Sequence, residues 1–232
     1  RGAILGIVRT ADAPVFGADV SLQKARTAAL FSSTDAADFL RGITTPAVYL
    51  NPDLSPKAEV LISTYVDQVQ AFVGSDALAD GTAFSDRAGG NLSRPFYPDG
   101  IRGNPHGPLS KSFVNNEWSV FSTGLQLDLS INSIFTPVLF AAGATEQDVE
   151  VNCSDATEPR IANGIQIFPG SVPIYRGEQL VGGIGVSGDG IDQDDMIAFL
   201  GLDEAGLKLG NSINNAPSEI RADRLKPMGE RL

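Results

Sequence analysis

The residues able to do chemistry are few and unevenly placed. The chain holds one histidine, His106, and one cysteine, Cys153. A Ser-His hydrolase needs a base beside an elevated nucleophile, and VSGDG at 186–190 is not a GxSxG elbow. The segment from Asp86 to His106 gathers Asp86, Arg87, Asn91, Arg94, Asp99, Arg102 and His106. Such density suits a polar ligand or metal site, and equally the solvation of a long loop's backbone. Asp189, Asp192, Asp194 and Asp195 form a second cluster. Several carboxylate oxygens suit a hard divalent cation. The spacing is not that of a twelve-residue calcium loop, and a helix is expected to start here, so acidic residues would also complement its amino end.

A single cysteine rules out an internal disulfide framework and a Cys-rich zinc site. The formal net charge of −11 argues against nucleic acid, whose phosphates demand lysine and arginine. It also argues against an anionic membrane surface. No apolar run is long enough to span a bilayer, because Gln126, Asp128, Asn132 and Pro137 interrupt residues 120–142. At 42% hydrophobic and 19% charged, 232 residues are enough to fold around their own core. Scarce cysteine with abundant Gly, Pro, Asn and Ser suits a bacterial periplasmic or secreted protein.

The elements that must position these groups follow from periodicity. Residues 3–9 form an apolar run after the turn-like Arg1-Gly2 and read as a buried strand. Its hairpin partner would lie upstream of residue 1, so the chain is expected to be part of a longer protein. A helix capped by Asp19 should carry VSLQKARTAALF, and a second, DAADFL, should end at Gly42. Ser55-Pro56 predicts a helix start running to Gly74, with Leu61, Tyr65, Val69, Phe72 and Val73 as its buried stripe. Residues 76–117 read as a long loop. Leu125, Leu127, Leu129 and Ile131 alternate with polar residues as a half-buried strand. Further strands are expected at 164–168, 172–175 and 180–187, the last two joined at Arg176-Gly177-Glu178. A helix, DQDDMIAFL, should stop at Gly201 with Met196 filling the core, and Ser218 should cap a short helix in the tail. The glycines of GGIGVSGDG, at 182–190, predict close backbone packing or contact between copies.

Two blocks resemble the GlcG/HbpS-type haem-binding family. Residues 7–31 are similar to its strand ending in arginine, its small-residue loop and its KAxTA helix, here Lys24 to Ala28. Residues 168–202 resemble its GGxPI, VGxIGVSG and QDExIAxxG elements in order, with Ser171 in place of a glycine. The resemblance implies an α/β (α+β) fold, a profilin-like antiparallel sheet flanked by helices. It implies one domain over 1–232, with a core at 1–42 and 163–202, a loop-rich insertion at 43–162 and a polar tail at 203–232. It also implies a module that binds haem or a related tetrapyrrole without catalysis of its own. His106 or Tyr97 would then ligate the iron, with Tyr65 and Tyr175 as other phenols, and Arg9, Lys24, Arg26 and Arg176 would face the propionates. Asp189, Asp192 and Asp194 are the candidates for a divalent metal. Members tend to oligomerise, so a homo-oligomer or an upstream domain is the expected partner. The competing expectation is an assembly domain that binds no small ligand.

Overall fold

The computed structural model describes residues 2–44, 47–50, 56–91, 101–105, 143, 160, 166 and 168–224. The expected strands at 125–131 and most of 164–168, together with Cys153, lie outside them; Gln166 and Phe168 belong to no strand. The architecture is mixed helix and antiparallel sheet, as expected.

Helix α1, Gly17–Phe31, starts two residues before the expected Asp19 cap, leaving Asp19 in the first turn. Helix α2, Ala36–Arg41, ends at Gly42 as its sequence predicts. Strands β1, Ala47–Leu50, and β2, Pro56–Val60, then form an antiparallel hairpin. This corrects the expected helix start at Ser55-Pro56. Proline lacks an N–H wherever it sits, so it opens a strand as readily as a helix. Helix α3, Ile62–Val73, begins only where the buried stripe does; Ile62, Tyr65, Val66, Val69 and Val73 are buried, whereas Leu61 is exposed. Within the expected loop at 76–117, Asp86–Asn91 forms a short helix, α4.

Strands β3, Ser171–Arg176, and β4, Gln179–Gly185, pair antiparallel, from Ser171 opposite Gly185 to Arg176 opposite Gln179. Gly177 makes the turn at φ +58°, a left-handed conformation that favours glycine. Helix α5, Ile191–Lys208, runs through Gly201, which does not stop it. A glycine inside a helix costs only about 1 kcal/mol, and Ala198 and Leu202 are buried on either side of it against Val172 and Ile174. Two 3₁₀ turns, Ser218–Ile220 and Ala222–Arg224, replace the expected tail helix. The Ser218 hydroxyl donates to Glu219 rather than capping.

Residues 3–9 are not a strand. Among the described residues they have no ladder partner, and Leu5 and Val8 are 97% and 100% exposed. Apolar composition alone cannot satisfy a strand's backbone, which needs a neighbour to bond.

The β3–β4 hairpin lies between two helices. Ile184 and Val186 face α5, while Gly183 and Gly185 face α1. The far end of α1 enters a second core, where Leu30 and Phe31 pack with Leu40, Tyr65, Val69, Leu78 and Phe84. Phe31 and Tyr65 stack with their centroids 6.2 Å apart. Polar groups inside α1 are satisfied: Thr27 donates to Gln23 O at 2.7 Å and accepts from Gln166 N at 2.8 Å.

Tyr175, on β3, is fully buried, and its hydroxyl has no hydrogen-bond partner among the described residues. The nearby Ser32 hydroxyl is already engaged with both backbone groups of Phe84. Burial pushes the phenol up to about 12, a rise that Ser32 opposes and Asp80 reinforces. The unfolded phenol ionises near pH 10. Stability is therefore intact below about pH 10 and falls as pH rises from there through about 12, because only the unfolded chain releases the proton. The loss should be about 2 kcal/mol by urea unfolding at about pH 12. Tyr175→Phe should remove this alkaline loss and change neutral stability by less than about 1 kcal/mol; equal alkaline loss in both proteins would contradict this account.

Candidate functional site

Helix α5 is apolar on two faces. Ala198 and Leu202 face the sheet, whereas Met196, Phe199 and Leu200, spaced i, i+3 and i+4, point elsewhere. Met196 is 61% exposed, which corrects its expected place in the core. These three side chains form one wall of a cleft of about 570 Å³, closed by Arg87 and Ala88 of α4, Val172 and Pro173 of β3, and Ala216, Arg221 and Ala222 of the tail. A smaller pocket of about 370 Å³ adjoins it, lined by Tyr175, Asp203, Asn211 and Asn214. Phe199, Asn215, Ala216 and Arg221 line both.

A polar network fixes the mouth of the large cleft. Arg87 donates from Nε to Asp195 Oδ2 at 2.6 Å and from Nη2 to Asp192 Oδ1. Asp195 Oδ1 accepts from Gly170 N at 2.9 Å. Burial works against the Arg87 charge, but the bonds to Asp195 and Asp192 outweigh it and raise its pKa. The network joins α4, α5 and the approach to β3. Deeper in, Lys24 Nζ donates to Asp194 Oδ2 at 2.9 Å and to Val186 O at 2.8 Å, with both side chains almost wholly buried.

The expected site residues disperse. Arg9 donates to Ala13 O within its own turn, Arg26 is buried and donates to Gly2 O, and Arg176 is exposed at the hairpin. Lys24 is committed to Asp194. Tyr65 is buried in the core around α1 and α3, and Tyr175 borders the smaller pocket with its hydroxyl buried. His106 and Tyr97 lie outside the described residues, as do Arg94 and Asp99. The aspartates divide: Asp192 pairs with Arg87, Asp194 with Lys24, and Asp189 is exposed on the turn before α5. Asp192 Oδ1 and Asp194 Oδ2 are each paired with a cationic side chain, and among the described residues no group of three potential ligands gathers to hold a divalent metal. Asp192 and Asp194 still sit in the first turn of α5, where they complement its dipole, although no side chain caps it.

Residues 128–203 match the model of the family described as haem degrading protein HbpS-like. The resemblance stated from the second sequence block therefore holds over a stretch that includes β3, β4 and α5 as far as Asp203. The HbpS-like stretch contributes Met196, Phe199, Leu200 and Asp195 to the cleft. Lys24, Arg87 and Arg221 lie outside it. No curated protein and no solved structure matches the chain. Among the described residues no helix is long and apolar enough to cross a membrane.

Proposed function

We propose that this chain binds haem, or a related flat tetrapyrrole, in the cleft between α4, α5 and the tail. The HbpS-like match carries the ligand class. The residues present fit such a group: an apolar wall of Phe199 and Leu200, an exposed thioether at Met196, and arginines at the edge. Methionine is a soft ligand suited to haem iron, and apolar side chains exclude water from the macrocycle. Haem would supply the redox or ligand-binding chemistry; the protein's part is to enclose it and orient it.

Titration with hemin should shift and sharpen the Soret band, and Met196→Ala should weaken binding about tenfold and change the band position. An unaltered spectrum in Met196→Ala, lost instead in His106→Ala or Tyr97→Phe, would move the iron ligand to residues 97–106. No Soret change in the wild-type protein would end the tetrapyrrole reading.

The exposed Ile197, Leu200 and Leu207 on α5 favour a second reading, a surface that meets another copy. The two readings separate in the same titration under light scattering: assembly alone gives a stable oligomer indifferent to hemin. Export to the periplasm or cell exterior fits either reading and rests on composition.

A further inference from the structure

Two cations line the large cleft, and they are not equivalent. Arg87 is committed to Asp192 and Asp195 through both its Nε and an Nη. Arg221 uses only Nε, which donates to Ala216 O at 2.7 Å. Its guanidinium lies 5.4 Å from the centre of the Phe199 ring. Neither of its terminal amino groups makes a hydrogen bond or ion pair among the described residues. The Ala216 bond and the ring hold the guanidinium in place without neutralising it, which preorganises its outer edge for a planar acceptor.

Position gives that edge its meaning. Arg221 stands where the large apolar cleft meets the small polar pocket and lines both. Beside it, Asn215 donates through Nδ2 to Phe199 O at 3.0 Å, while its buried Oδ1 has no partner among the described residues. Asp203 contributes negative charge to the small pocket and Asp223 to the large one. Neither Asp203 nor Asp223 forms an ion pair with Arg221 among the described residues, and both would repel an anion, so a bound carboxylate must be held by Arg221 itself. An amphiphilic ligand with a flat apolar body and a carboxylate arm fits this junction: its body lies along Met196, Phe199 and Leu200, and its arm turns into the polar pocket.

We infer that Arg221 is the carboxylate anchor of this cleft, holding a propionate of the bound tetrapyrrole through its free Nη edge. This rests on the tetrapyrrole reading and adds to it a residue from the tail, beyond the HbpS-like stretch. It also replaces Arg9, Lys24, Arg26 and Arg176 in the role that the sequence resemblance implied for them.

The test compares hemin with its dimethyl ester, which keeps the macrocycle and iron but removes both negative charges. Wild-type protein should bind hemin about tenfold more tightly than the ester. Arg221→Gln should erase that preference by weakening hemin alone, and Arg221→Lys should restore part of it. Hemin affinity should fall with added salt while ester affinity holds, a measurement that needs no variant. Equal wild-type affinity for hemin and ester, or a preference that survives in a folded Arg221→Gln protein, overturns the anchor and leaves the tetrapyrrole reading standing. Failure of the wild-type protein to bind either compound overturns both.

Discussion

Lys24→Met is expected to cost about 3–5 kcal/mol of folding stability, measured by urea unfolding. The side chain is 2% exposed, and its ammonium spans Asp194 Oδ2 and Val186 O. Removing it strands a carboxylate whose second oxygen, Oδ1, already lacks a partner among the described residues. A buried ion pair is only modestly stabilising against well-packed apolar replacements, because both charges lost their water on folding. Breaking one side is different: the desolvation cost of the remaining ion stays and its compensation goes. The double variant Lys24→Met with Asp194→Asn should therefore be more stable than Lys24→Met alone, by about 2 kcal/mol. A single-variant cost below about 1 kcal/mol would show that Asp194 finds another partner or takes up a proton. The pair also fixes geometry, because it ties α1 to the first turn of α5, one residue before Asp195 and two before Met196. Hemin binding in Lys24→Met should weaken even though Lys24 does not line the cleft.

Local pattern revealed the hairpin and missed the long-range partnerships. Turn chemistry at Arg176-Gly177-Glu178 and apolar strands on either side located β3 and β4 to within two residues. Helices α1 and α2 followed from spacing and from Gly42. The run at 3–9 misled because apolar composition marks a candidate strand but says nothing of its neighbour. Pro56 misled because its missing N–H suits two element types. Gly201 misled because packing by Ala198 and Leu202 outweighs a penalty of about 1 kcal/mol.

The site was less legible than the fold. Lys24 and Asp194 both stood out in the sequence, one as a propionate partner and the other as a metal ligand, yet they are 170 residues apart and bind each other. Arg87 meets Asp195 across 108 residues. Opposite charges at such separations carry no periodic signal that would pair them. One signal was available: in MIAFLGL, Ala198 and Leu202 share one helical face, while Met196, Phe199 and Leu200 share another. A helix with two apolar faces needs a second contact, and the cleft lies at the second face.

Gly185→Ala should destabilise the protein by about 3 kcal/mol and lower Tm by about 10 °C. A Cβ at Gly185 would overlap Ser21 O and lie 2.7 Å from Ala25 N, and one at Gly183 would overlap Ala25 O. All of these are backbone atoms of α1, so no side-chain rotation relieves the clash; the helix must move away from the sheet. Gly182, on the other face of the same strand, has nothing among the described residues within 4 Å of its Cβ position. Gly182→Ala should change stability by less than about 0.5 kcal/mol, which separates close packing from any general intolerance of β4 to side chains. A Gly185→Ala protein melting within about 2 °C of wild type would mean that α1 does not lie directly on the strand. The displacement has a further consequence, because α1 carries Lys24. Lifting the helix stretches the Lys24 bonds to Val186 O and Asp194, so Gly185→Ala and Lys24→Met should be less than additive when combined. That shortfall, read from the same melts, would show that the glycine seam and the buried ion pair hold one interface.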